Sequence, residues 1–150
     1  MALYSLCPFH ELFPEQGMNE CRVLHVMRHE RIPRDDYALV EYYCIDPGCD
    51  CRRVLLRAMS KATREYVAAI SFAFDRRSKN AGPLLDPVNE QSSYARDLLN
   101  AVANVLSDPD YVARLEAHYR QVKRAIAAPT REVKDIMKRY KITRRPWLDN

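Results

Sequence analysis

The sequence predicts an α+β fold in which an antiparallel sheet of about four strands is followed by about three helices. Residues 1–75 contain short runs rich in aromatic and branched aliphatic side chains, which favour strands. Beyond residue 90 the apolar residues recur every three or four positions, which is the helical period. Strands that follow one another through short connections usually pair antiparallel, so we expect a meander.

The four strands are predicted at residues 22–28, 37–44, 52–59 and 66–74. A turn at residues 33–36, which contains a proline and two aspartates, favours a hairpin between the first two strands. The segment that connects the second strand to the third is then residues 45–51. A long connection over residues 75–90 leads from the sheet to the helices, since it contains one glycine, two prolines and no periodic pattern.

The three helices are predicted from apolar stripes and from their capping residues. Asp108 and Pro109 have the types preferred at the N-cap and first position of a helix, and Thr130 is the predicted cap of the next. The stripes of the three helices are Ala95, Leu98, Leu99 and Val102; Val112, Leu115, Tyr119, Val122 and Ile126; and Val133, Ile136, Met137 and Tyr140.

The composition is that of one globular domain. The chain has 150 residues, 47% of them hydrophobic, which is enough for a single core. We therefore predict one domain over residues 1–150, with strands mainly in 1–75, helices mainly in 91–141 and a basic tail at 142–150. No run approaches the roughly 18 apolar residues of a membrane span, and the first residues do not resemble a leader, so a cytoplasmic location is expected.

Three of the five cysteines, Cys44, Cys49 and Cys51, lie within eight residues of one another. Residues 46–49 have the order Asp-Pro-Gly-Cys, which fits a type II turn with glycine at the position of positive φ. Such a turn would bring Cys49 back toward Cys44. Thiolates are preferred zinc ligands, and a reducing compartment keeps thiols free. This cysteine loop (residues 44–51) therefore predicts one structural zinc ion per chain.

A tetrahedral zinc site needs a fourth ligand from elsewhere in the chain. We predict His10, with Cys7 as the second choice, because these two residues form a C-x2-H pair near the N-terminus. His25 falls within a predicted strand, where a lone histidine is more often a core residue. Cys21 and His29 lie at the ends of that strand and rank lower.

Positive charge is concentrated at the C-terminal end. Residues 111–150 carry eleven Lys or Arg and four Asp or Glu, whereas residues 1–110 carry thirteen and sixteen. This bias is typical of a solvated helical face or of a nucleic-acid contact. The residues that would contact nucleic acid are Arg131, Lys134, Lys138, Arg139, Lys141, Arg144 and Arg145.

Other chemistries have less support, and no catalytic residue is predicted. Only three glycines are present, which disfavours a glycine-rich phosphate loop. Glu11 and Glu20 are interpreted as solvated carboxylates. Cys49 and Cys51 form a C-x-C pair followed by two arginines, whose charge would favour thiolate. A thiol redox protein is therefore an alternative, as is a nucleic-acid-associated or regulatory protein.

Two segments resemble a group of bacterial proteins without an assigned activity: residues 42–54 (YYCIDPGCDCRRV) and residues 10–15 (HELFPE). The similarity extends through residues 84–87 and 111–119. Some members of that group carry a C-terminal SEC-C zinc-binding motif, which this chain lacks because it has no cysteine after Cys51. The resemblance implies that His10 and the cysteine loop belong to one unit. We therefore expect a structural zinc-binding protein that serves as a non-catalytic interaction module, with a protein partner.

Overall fold

The computed structural model describes residues 5–141, which form a six-stranded antiparallel sheet and five helices. The elements are β1 (Leu6–Pro8), α1 (Phe9–Leu12), α2 (Pro14–Asn19), β2 (Arg22–Val26), β3 (Asp35–Cys44), β4 (Arg53–Ser60), β5 (Tyr66–Ala73), β6 (Leu84–Leu85), α3 (Ala95–Val105), α4 (Pro109–Ala127) and α5 (Arg131–Tyr140). The α+β class is confirmed. The predicted counts of four strands and three helices are too low.

The sheet is built on β3, which has neighbours along both of its edges. On one edge β3 pairs with β4, and the order continues through β5 to β6. On the other edge β2 pairs with the first half of β3 and β1 pairs with its end, where Leu6 lies opposite Cys44. The meander predicted for the four longer strands is therefore present, and two short strands extend it.

The elements missing from the prediction are too short to give a periodic pattern. β1 has three residues and β6 has two, while α1 and α2 have four and six. Helices of this length do not form in isolation, so packing holds them in place. Phe9 of α1 is 2% exposed, and a side chain at Gly17 of α2 would lie 2.6 Å from the His10 Cα atom.

The two helices with predicted caps, α4 and α5, begin at the predicted residues. The Asp108 side chain accepts a hydrogen bond from the Asp110 amide at the start of α4. Thr130 Oγ1 accepts from the Val133 amide, 3.2 Å away, at the start of α5. Among residues 5–141, none of the helices combines the length and apolarity that a bilayer crossing requires.

The core lies between one face of the sheet and helices α3 and α4. Alternate residues of β3, Tyr37, Leu39 and Tyr43, are fully buried there, as the period of a strand requires. Leu98 of α3 and Leu115 of α4 pack on this face. Cys44 is the residue after Tyr43 and therefore points to the opposite face, at the end of the sheet where the cysteine loop begins.

Candidate metal centre

The structure brings three thiols of the cysteine loop together. Cys44 ends β3, while Cys49 and Cys51 lie in the connection to β4. The three Sγ atoms lie within 4.8 Å of one another, so one ion between them could contact all three. In the part of the chain that the structure describes, this is the one group of three or more histidine, cysteine or acidic side chains with such spacing.

The loop closes through a turn at residues 46–49, but not of the predicted type. The Cys49 amide donates to the Asp46 carbonyl oxygen over 3.1 Å, and the Gly48 amide donates to Asp46 Oδ1 over 2.9 Å. Gly48 does not take positive φ, which a type II turn would require; positive φ occurs instead at Arg52, at 50°. The Asp46 side chain therefore helps to fix the turn.

Two side chains of α4 anchor the cysteine loop. Tyr119 accepts a hydrogen bond from the Arg52 amide (3.1 Å) and donates one to Asp50 Oδ1 (3.0 Å). Lys123 Nζ donates to the Asp46 carbonyl oxygen over 3.2 Å. The residues on both sides of Cys51, and the residue that opens the turn, are therefore fixed relative to the helix.

The three thiols are not electrostatically equivalent. The Cys44 thiol donates a hydrogen bond to Cys51, and this bond, followed by burial, raises the pKa of Cys44. The same bond lowers the pKa of Cys51 despite its burial. Burial, aided by the neighbouring Cys44, raises the pKa of Cys49. Cys51 is thus the thiol most readily deprotonated, and a metal ion would have to displace protons from the other two.

Cys7, the second choice for the fourth ligand, lies on the other face of the sheet. It pairs with Tyr43 in the register between β1 and β3, so its side chain shares the core face, away from Cys44. It is fully buried, and burial, with the charge of Glu11, raises its pKa to about 12. These features are those of an inert core thiol.

His10 does not lie among the three thiols. It belongs to α1, and its side chain is exposed. Because Leu6 is opposite Cys44 and Pro8 is opposite Tyr42, β1 runs away from the cysteine loop, and His10 follows at its far end. Its role as a ligand stays a prediction.

The other three candidates are engaged elsewhere. Cys21 Sγ lies 3.6 Å from the Leu39 carbonyl oxygen. His25 Nδ1 lies 2.7 Å from Asp36 Oδ1, and His29 Nδ1 accepts a hydrogen bond from the Arg31 amide.

A buried histidine network was missed at the sequence level. It consists of His118 on α4, Glu41 and Tyr43 on β3, and Glu20 after α2. His118 Nδ1 is 2.6 Å from Glu41 Oε1 and its Nε2 is 2.5 Å from Glu20 Oε2, while Tyr43 donates to Glu41 over 2.6 Å. Glu20 remains partly solvated, with its side chain 38% exposed, but it is paired with His118, which we did not expect.

The sequence positions of Glu41 and His118, the two residues at the centre of this network, could have indicated that they are buried and paired. Glu41 interrupts the predicted core face of a strand between Leu39 and Tyr43, and His118 follows Leu115 by three residues in a helical stripe. A charged or polar residue within an apolar stripe needs a hydrogen-bonding partner. Glu41 on a strand and His118 on a helix are two such residues, and each could serve as the partner of the other.

The basic residues of α5, and Lys141 directly after it, lie on the surface. Arg131, Lys134, Lys138 and Lys141 are exposed. Arg139 is also exposed and lies 3.7 Å from Glu11 Oε2. The predicted contacts at Arg144 and Arg145 fall outside the described residues.

Comparison with known proteins gives no further assignment. No family model matches the chain, and searches of curated proteins and of solved structures found no match. Its function must therefore be inferred from the arrangement of its own residues.

Proposed function

We propose that the protein is a metal-binding interaction module in which one zinc ion, held by Cys44, Cys49 and Cys51, fixes the cysteine loop. The observation that carries the proposal is the mutual approach of the three sulfur atoms to within 4.8 Å. Thiolates favour zinc among the common divalent ions of cells, because it is a borderline-soft ion without a strong geometric preference.

A structural role suits the surroundings of the three thiols. Three thiolates donate much charge to an ion and weaken its capacity to activate water, in contrast to nitrogen-rich catalytic sites. The loop is also fixed to α4 through Tyr119 and Lys123. A metal there would hold the connection between β3 and β4 in one conformation, and the hydrogen bonds of Tyr119 and Lys123 would keep that connection against α4. The protein would act through the surfaces stabilised in this way.

The fourth ligand is either His10, as the sequence suggests, or solvent. The two are distinguished by Co²⁺ substitution in the chain and in His10→Ala. If His10 binds the ion, the variant changes the visible d–d spectrum and weakens metal affinity. If solvent completes the site, the spectrum and the affinity stay as they are.

Elemental analysis of the purified protein tests the proposal. We expect one zinc per chain, lost in Cys49→Ser and retained in Cys21→Ser, which removes a thiol outside the cluster. Metal binding stabilises the folded state by about 2.7 kcal/mol when free metal is a hundred times the dissociation constant, so chelation and Cys49→Ser should both lower the melting temperature.

The proposal fails if purified protein contains no metal and Cys49→Ser melts like the unaltered chain. A reversible disulfide between Cys49 and Cys51 in metal-free protein would instead support thiol redox chemistry. Thiol titration before and after mild oxidation measures this directly.

A further inference from the structure

A groove of about 510 Å³ lies between the cysteine loop and α5. Ile45 and Pro47 of the loop form one wall, and Met137 contributes from the helix. Ile45 is buried, Met137 is half-buried and Pro47 is exposed, so the groove has an apolar floor that opens to the surface. Its size is within the range of pockets that hold small ligands or single side chains.

Three lysines line the same groove, two from α5 and one, Lys141, from the position after its last residue. Lys134 and Lys138 are four residues apart and project from one side of the helix, and Lys141 lies just beyond its C-terminal end. All three are exposed. No salt bridge holds any of the three ammonium groups within residues 5–141.

The groove has a net positive charge. Asp46 is its one acidic residue among those described, and Asp46 Oδ1 already accepts a hydrogen bond from the Gly48 amide. Lys123 reaches the Asp46 carbonyl oxygen from α4 and adds positive charge beside the rim. An anionic ligand would meet three cations that have no partner in the described structure.

The lining favours a peptide over a nucleic acid. Sites for single-stranded nucleic acid usually combine cations with aromatic side chains on which bases stack, and no aromatic residue is among the described residues of this groove. An apolar floor with a charged rim is instead the arrangement of a peptide site.

We propose that this lysine groove binds an extended acidic segment of a partner protein. One apolar side chain of that segment lies against Met137 and Pro47, and flanking carboxylates lie beside Lys134, Lys138 and Lys141. This proposal names the kind of partner for the interaction module proposed above. It rests on that proposed function, since the cysteine loop forms one wall of the groove. The lysines themselves are not metal ligands.

Fluorescence anisotropy with a labelled peptide tests this inference. The probe is a short peptide of glutamates around one leucine, compared with the same peptide in which glutamine replaces each glutamate. The full chain is compared with the double variant Lys134→Glu, Lys138→Glu. The control is Lys61→Glu, Lys79→Glu, which changes the net charge equally at exposed lysines outside the groove.

We expect the acidic peptide to bind, and the groove variant to bind it about fivefold more weakly or worse. The control variant should bind normally, and higher salt should weaken binding. Equal affinity for the glutamine peptide, an equal loss in both double variants, or no binding would overturn the proposal. Tighter, lysine-dependent binding of a single-stranded oligouridylate would also overturn it in favour of a nucleic acid.

Metal analysis of the same samples separates the two proposals. Protein that holds zinc but fails to bind the acidic peptide refutes the groove alone. Protein that binds the peptide through Lys134 and Lys138 without any metal supports the groove and refutes the zinc site.

Discussion

His118 lies between two carboxylates, an arrangement that favours the charged form of its imidazole. A neutral imidazole has one N–H and one lone pair, so it cannot donate to carboxylates on both sides, whereas the imidazolium can. Glu41 and Glu20 stand on the two sides, and His118 is 2% exposed. Burial alone would lower the pKa of His118, but the hydrogen bonds and charges of Glu41 and Glu20 outweigh it, so the pKa is raised.

Replacing His118 by glutamine should destabilise the protein by about 3–5 kcal/mol, because Glu41 would remain buried without a cation. The matched control is His25→Gln. His25 pairs with Asp36 at a similar distance of 2.7 Å, but its side chain is 66% exposed, so its loss should cost no more than about 1 kcal/mol. Urea unfolding measures both. Equal losses in the two variants would contradict a special role for the buried pair.

The His118 network also predicts how stability depends on pH. The raised pKa of His118 means that its contribution is complete below 6.5, the value in the unfolded chain, and is lost as pH rises through the folded value. For Glu20, burial opposes ionisation, but the hydrogen bond from His118 prevails and lowers the pKa. Its contribution is present above the unfolded value of 4.5 and is lost as pH falls through the folded one.

The groups that face His118 are Glu41 from β3 and Glu20 after α2, with the Phe9 ring stacked on the imidazole; Arg114 acts on Glu20 from α4. Unfolding free energies measured across this pH range should show both losses in the unaltered chain. In His118→Gln the loss at higher pH should disappear, and a retained loss would assign it to another group.

At the level of single residues, the sequence predicted the cysteines but not this network. Cys44, Cys49 and Cys51 are close along the chain, so a single turn brings them together. Glu41 and His118 are 77 positions apart, and only the packing of α4 on β3 joins them. The glycine of the predicted type II turn was misjudged for a local reason, because its amide donates a hydrogen bond to the Asp46 side chain, and such a bond competes with the backbone preference.

Among the elements, α4 and α5 differ in how firmly they are held. α4 buries six residues, whereas α5 buries Ile136 alone. Local opening requires little free energy where few apolar contacts are lost. We therefore expect α5 to open without global unfolding, and α4 to open only with the core.

Removing the two helix caps should reveal this difference. Thr130→Ala and Asp108→Ala each remove a capping hydrogen bond worth about 1 kcal/mol. Thr130→Ala should speed hydrogen exchange across Arg131–Tyr140 while leaving the urea midpoint almost unchanged. Asp108→Ala should lower the midpoint itself. Global destabilisation by Thr130→Ala would show instead that α5 belongs to the cooperative unit.

The longer elements were predictable because each gives a periodic pattern of its own. The four strands and three helices have apolar runs or three-to-four spacing, and α4 and α5 also have recognisable capping residues. α1 is different, because its four residues have no periodic pattern of their own. The helix is held in place by Phe9, whose ring contacts those of Tyr43 and His118. These partners of Phe9 are far away in sequence, so no local pattern predicts the contacts.

For the molecule as a whole, the cysteine loop joins the two layers. It connects the central strands β3 and β4, and the backbone carbonyl of Asp46 accepts a hydrogen bond from Lys123 of α4. Tyr119 is the main link, since its hydroxyl contacts the residues before and after Cys51. Its ring packs edge-on against Tyr43 and Phe74, which fixes the hydroxyl relative to the core. The position of Cys51 thus depends on the packing of helix on sheet.

Tyr119→Phe tests this dependence. The ring and its packing remain, but Arg52 and Asp50 lose their hydrogen-bond partner, so Cys51 is less well positioned. Groups that orient metal ligands typically contribute tenfold or more to affinity, and we expect zinc affinity to fall about tenfold, measured by competition with a chromophoric chelator. The control is Tyr37→Phe, which removes a buried hydroxyl bonded to the Pro33 carbonyl oxygen (2.7 Å) at the opposite end of β3. Both variants should lose about 1 kcal/mol of stability, but only Tyr119→Phe should weaken zinc binding. Equal zinc affinities would show that the three thiols are positioned by their own loop and not by the helical layer.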